Sequence, residues 1–212
     1  MKKISGIKIF PVIPALFILF ILIPAISGCV RLAKPYPVKQ YFVLEAERKA
    51  PQQETPSKAS IRIKDPEISP IFSGKSFVYK TGKLEFTTDF YNQFFIAPDR
   101  MIKSRTVEWF GRSGIFRRIS PDPGEKADYI LESNIVNIYI DRTASPETAV
   151  LETSFFLLSG KAGEKEIIWH GNSKEETKVK EDSPSAMAEA FSTCLEKTLV
   201  YLEKNITASV KK

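Results

Sequence analysis

The sequence predicts an α+β domain of two layers, a mostly antiparallel sheet with two main helices packed on one face. Three observations carry this expectation. Short strand-like runs come first, then a helical period, then a longer β-rich block, then a second helical period. Both helical segments repeat apolar residues at helical spacing, so each has a stripe to bury. The β-rich block from Tyr129 to Lys178 falls into three runs joined by short loops, as an antiparallel meander does.

The chain has 212 residues and opens on a basic leader, Lys2, Lys3 and Lys8. From Ile9 to Val30 it carries no charge, and Ile9 to Ile26 is almost wholly apolar. A basic start, an apolar run and small residues before a cut describe a secretory signal peptide over residues 1–28. Its end, Ile26-Ser27-Gly28-Cys29, resembles the lipobox of bacterial lipoproteins. That resemblance implies cleavage between Gly28 and Cys29, a diacylglyceryl group on the Cys29 sulfur, and acylation (palmitate-like chains) of the new amino group. The alternative is an uncleaved transmembrane anchor, because the stretch is almost long enough to span a bilayer. Pro11, Pro14 and Pro24 disfavour a regular helix there. In enteric bacteria an Asp after the lipidated Cys retains the protein at the inner membrane. Val30 stands there instead, which implies the outer membrane, with the inner membrane as the alternative. Without the leader, 28 basic residues face 25 acidic ones, a net charge of +3. That is poor support for a nucleic-acid partner. Two cysteines and one histidine exclude a Cys/His zinc centre and a disulfide framework within one chain.

Residues 29–40 read as the lipidated Cys and an extended, proline-containing tether, and the folded domain spans 41–206. Tyr41–Leu44 is a short strand, Lys49–Lys58 a polar loop, and Ser60–Lys64 alternates as a half-buried strand. Phe77–Lys80 and Lys83–Thr88 flank Thr81-Gly82 as a hairpin. Pro98 and Asp99 suit the first turn of a helix, with Ile102, Thr106, Trp109 and Phe110 on one face and Gly111 and Gly114 as stops. Ile115–Ile119 is a strand, followed by a turn at Pro121–Gly124. The meander follows, its last loop at Gly160–Glu164. The final helix starts with Ser183 as cap and Pro184 at its first position. Met187, Phe191, Cys194, Leu195, Thr198, Leu202 and Ile206 form its buried stripe, and 207–212 is expected to fray.

Each candidate for chemistry has a plainer reading beside it. His170, next to Trp169, would need a nucleophile and a partner to serve as a base, and spacing nominates neither. Cys194 is either a packed small hydrophobe or a reactive thiol. Arg112, Arg117 and Arg118 suit a helix C-terminus or a phosphate or lipid-headgroup site. Lys174–Asp182 reads as a solvated charge run or a partner surface. Phe90, Tyr91, Phe94 and Phe95 either seed the core beneath the first helix or form an exposed surface for a protein partner. No phosphate loop, GxSxG or HExxH motif occurs, and the expectation is a non-enzymatic protein with no cofactor beyond the lipid on Cys29.

Several of these segments together resemble the ABC-type transport auxiliary lipoprotein family. Cys29 is followed closely by Tyr41-Phe42-Val43-Leu44, and Phe77-Val78-Tyr79 precedes Leu84-Glu85-Phe86. The run Phe90-Tyr91-Asn92-Gln93-Phe94-Phe95-Ile96-Ala97-Pro98 leads into Met101-Ile102, and Ser113-Gly114-Ile115-Phe116 ends the helix. Ala127–Leu131 looks like the family's next strand. The resemblance covers most of residues 29–205. It implies a component of a system that pairs an MCE-domain protein with an ABC permease and ATPase, moving lipids or other hydrophobic molecules across the envelope. It implies no catalytic residues, and a homo-oligomer would suit docking to ring-shaped MCE proteins. The alternative is a lipoprotein activator or scaffold of an envelope enzyme such as a cell-wall synthase; an envelope hydrolase fits less well.

Overall fold

The computed structural model describes residues 38–53, 57–120, 125–160 and 166–210. The leader, the lipobox with Gly28 and Cys29, most of the tether, the 121–124 turn and the 161–164 part of the last loop lie outside the described residues.

Among the described residues nine strands form one sheet: β1 (Gln40–Phe42), β2 (Ser57–Ile63), β3 (Glu67–Ile68), β4 (Ser76–Lys80), β5 (Phe86–Phe94), β6 (Phe116–Ser120), β7 (Tyr129–Asp141), β8 (Thr148–Ser159) and β9 (Ile167–Lys178). The helices are α1 (Pro98–Ser113) and α2 (Pro184–Val210), with a 3-10 turn at Pro70–Phe72. This is the expected α+β class. The long ladders, β7–β8 and β8–β9, are antiparallel and form the expected meander. The sheet as a whole is mixed, because β1–β5, β2–β6, β2–β7, β3–β7 and β4–β7 are parallel. Those pairings join strands far apart in the chain, which local patterning does not report.

Strand β7 organises the sheet. One edge pairs with β8 from end to end, while the other is shared in succession by β2, β3 and β4. On one face Leu131, Ile135, Ile138 and Ile140 line up with Leu157, Thr153, Leu151 and Ala149 of β8, all buried. The helices cover this face, α2 over β8 and β9 and α1 over β2 and β6. The opposite face carries Phe72, Phe86 and Tyr139, whose rings pack on one another.

Pro98 opens α1 with Asp99 in its first turn, as expected, although residue 97 is Ala and supplies no side-chain cap. The helix ends at Gly114, whose φ of 70° is left-handed backbone that other residues adopt at a cost. Gly111, expected to help stop the helix, lies inside it, because Gly114 alone supplies the left-handed turn. A Cβ on Gly114 would also lie 2.9 Å from the carbonyl oxygen of Gln53. Gly114→Ala is therefore expected to lower the unfolding free energy by about 1–2 kcal/mol, read from urea denaturation.

Ser183 caps α2, its Oγ accepting the Ala186 amide at 3.2 Å. Every residue of the stripe from Met187 to Ile206 is buried. The helix continues to Val210 instead of fraying after 206, because Ile206 is fully buried and Val210 packs against the core. Strand β5 also differs from expectation. Lys83–Glu85 belong to the turn, closed by the Thr81 amide on the Glu85 carbonyl, and the strand runs on through the aromatic stretch. Among the described residues no helix is long and apolar enough to cross a membrane.

Candidate docking surface

The aromatic stretch lies in β5 and just beyond it, and Asp89 determines which way its rings point. Val78 of β4 pairs with Thr88, whereas Ser76 pairs with Gln93, so β5 takes up extra residues between these points. Asp89 holds this bulge. Its Oδ1 accepts the backbone amides of Tyr91 and Asn92 at 2.8 and 3.0 Å. Its Oδ2 accepts the Asn92 side-chain amide at 2.8 Å and the Tyr79 hydroxyl at 2.6 Å. Burial alone would raise the Asp89 carboxyl. The bonds from Asn92, Tyr79 and Tyr91 outweigh it and hold the carboxyl below its ordinary value. Tyr79 shifts upward, through burial first and its bond to Asp89 second. The Arg142 guanidinium stacks 3.7 Å from the Tyr79 ring centroid.

The bulge separates four residues that are neighbours in sequence. Phe94 returns to the helix-covered face, 2% exposed, with its ring 4.7 Å from Phe77. Phe90 and Phe95 stay outside at 63% and 61% exposure, and Tyr91 is half-buried against Phe90. Phe94 is thus core and not surface. The other three share an exposed area with β1, the edge strand beside β5. There Tyr41 meets Phe95 edge-on at 6.2 Å, Val43 is half-exposed, and Lys39 Nζ lies 4.0 Å above the Phe90 ring. The sequence reading missed Tyr41, Val43 and Lys39 as members of this surface. Strand alternation was the available signal, since Phe42 and Leu44 point inward and their neighbours outward.

Because the Asp89 carboxyl sits low in the folded protein, its contribution is present above the unfolded carboxyl value and lost as pH falls through the folded one. Asp89→Asn is expected to destabilise the protein by about 2 kcal/mol at neutral pH, removing charge-assisted bonds. The variant should also lose less stability than the parent between neutral pH and pH ~3, measured by urea denaturation across that range.

The remaining candidates are not brought to this surface. His170 is exposed on β9, its ring 6.4 Å from Phe156. Ile167, Ile168 and Phe156 make a second exposed apolar area at that edge. Cys194 is fully buried, its Sγ 3.4 Å from the Ala149 carbonyl and 3.3 Å from Thr177 Oγ1, and burial pushes the thiol up. Those contacts fit the packing reading. Arg112 pairs with Glu108 at 2.6 Å, Arg118 pairs with Glu125, and Arg117 is exposed. In the charge run Lys174 pairs with Glu176 at 2.9 Å on an exposed strand face.

The fold is a two-layer α+β domain with an exposed aromatic edge beside its first strand. The chain belongs to the ABC-type transport auxiliary lipoprotein component family, whose model matches residues 42–200. It is thus a membrane-anchored auxiliary component of an ABC-type transport system in the cell envelope. Solved structures share the fold. Protein XCC0632 from Xanthomonas campestris, from the DUF330 family, superposes with a TM-score of 0.68 at 15% identity, over 82% of this chain and 95% of that one. An uncharacterized protein gives 0.64 at 12% identity, over 80% and 99%. The hypothetical protein CT253 from Chlamydia trachomatis gives 0.53 at 8% identity, over 73% and 98%. No curated protein matches the chain significantly.

Proposed function

We propose that the chain is a non-enzymatic subunit of an MCE/ABC transport system, holding that system at the outer membrane while it moves lipids or other hydrophobic molecules across the envelope. The observation that carries this reading is the family match across 42–200, the whole of the sheet core and most of α2. Its mechanism is tethering. Lipid on Cys29 fixes the domain to the membrane, and no other cofactor takes part. Several acyl chains, at about 0.8 kcal/mol per buried CH2, make attachment effectively permanent. A tethered domain raises the local concentration of its partners without adding contacts to them. An MCE-domain protein is the expected direct partner, with the permease and ATPase reached through it.

The test is a crosslinked pull-down of the full-length lipidated protein from its own envelope, read by mass spectrometry. Enrichment of an MCE-domain protein over a Cys29→Ala control is the expected result. Equal recovery with both forms would keep the partner and make anchoring secondary. Recovery of cell-wall synthases without an MCE protein would replace the transport reading with the enzyme-activator one.

A further inference from the structure

We propose that the aromatic surface along β1 and the Asp89 bulge is a membrane-contact face, seated on the anionic bilayer surface that holds the Cys29 lipid. This rests on the anchored-lipoprotein reading above and adds where the domain touches the membrane.

Position is the first argument. Val38 follows Cys29 by nine residues and leads straight into β1. A fully extended chain spans at most ~3.3–3.6 Å per residue, so Val38 stays within about 30 Å of the anchored sulfur. Val38, Tyr41 and Val43 are all exposed at this end of the sheet.

Charge is the second argument. From Val30 to Leu44 the chain carries Arg31, Lys34 and Lys39 and no acidic residue. Lys39 lies over Phe90, and Lys75 Nζ donates to the Phe95 carbonyl oxygen at 3.2 Å. One cation thus sits on the Phe90 ring and another on the backbone at Phe95. Asp89, the carboxylate within the bulge, spends both oxygens on internal bonds. Basic residues beside a bilayer are drawn to its anionic lipids, and amphipathic rings settle at headgroup depth. Tyr41 and Tyr91 have that amphipathic form, and Phe90 and Phe95 supply apolar bulk.

The second apolar area supplies the contrast. Beside Phe156, Ile167 and Ile168 stand Glu132, directly opposite Phe156 and paired with Lys64 at 2.8 Å, and the exposed Glu166. Glu132 is already neutralised by Lys64, an anionic surface would repel Glu166, and the tether leads to β1 and not to this area. Of these two areas among the described residues, the β1 one lies beside the tether and its basic residues.

The experiment uses the full lipidated protein in vesicles of phosphatidylethanolamine and phosphatidylglycerol. Phe90→Trp, Phe95→Trp and Ile167→Trp are made singly, and each emission spectrum is compared with that of the unsubstituted protein. Lipids brominated near the headgroup serve as quenchers. Tryptophan at 90 and 95 should be blue-shifted and quenched several times more strongly than tryptophan at 167. Quenching at 90 and 95 no stronger than at 167, in protein that floats with the vesicles, would overturn the proposal alone. Protein that fails to float would overturn the anchoring reading, and this proposal with it. A blue shift at 90 and 95 that needs added MCE-domain protein would assign the face to a protein and also overturn the proposal.

Discussion

Phe94→Ala is expected to destabilise the protein by about 3–5 kcal/mol, and Phe95→Ala by no more than about 0.5 kcal/mol. The two rings are adjacent in sequence and opposite in environment. Phe94 is 2% exposed, with Phe77 at 4.7 Å and Phe191 at 5.7 Å, so truncation leaves a cavity among aromatic rings. Phe95 is 61% exposed and touches Tyr41 edge-on, so truncation removes little buried area. Urea denaturation of both variants checks the contrast, and the midpoint should fall far only for Phe94→Ala. Comparable losses at the two sites would mean that the Asp89 bulge does not sort the rings as described.

Glu203→Ala should be as severe, for an electrostatic reason. Glu203 lies on α2 with its side chain 16% exposed, and Arg48 reaches it with a side chain only 4% exposed. Two bonds join them, Arg48 Nη2 to Oε1 at 2.8 Å and Nε to Oε2 at 2.9 Å. The Trp109 indole donates to Oε2 at 2.6 Å, so one carboxylate links α1, α2 and the 45–53 segment. Removing it leaves a buried guanidinium without its counter-charge, which costs about 3–5 kcal/mol. The double variant Arg48→Met with Glu203→Gln removes both charges and keeps an acceptor for the indole. It should recover most of the loss, and a double-mutant cycle in urea measures the coupling. A double variant no more stable than Glu203→Ala would place the effect in packing instead of charge.

The sequence foretold the elements whose causes are local. Pro98 and Asp99 start α1, Gly114 ends it, and Ser183 starts α2, each through a preference of one or two residues. The α2 stripe was legible because 3.6-residue spacing survives for its whole length. The parallel pairings onto β7 were not legible, since their partners lie tens of residues away and leave no local period. The two-residue β3 and the Pro70–Phe72 turn are too short to carry a pattern. At the docking surface, an aromatic run was visible but its two faces were not. Asp89 breaks the alternation, so Phe94 and Phe95 could be sorted only once the bulge was seen. An Asp followed three residues later by Asn, inside a strand-like run, was the signal for it.

The sharing of one β7 edge among three strands sets the order in which the chain is completed. A polypeptide exported N-terminus first delivers β2, β3 and β4 well before β7 reaches the far side of the membrane. Until then those strands lack their common partner, and their apolar faces lack the layer beneath them. The meander and α2 contact one another over short sequence distances and assemble quickly once delivered, whereas the early strands wait. With the proposed Cys29 anchor, that wait is spent beside the bilayer with strand edges unpaired and open to aggregation.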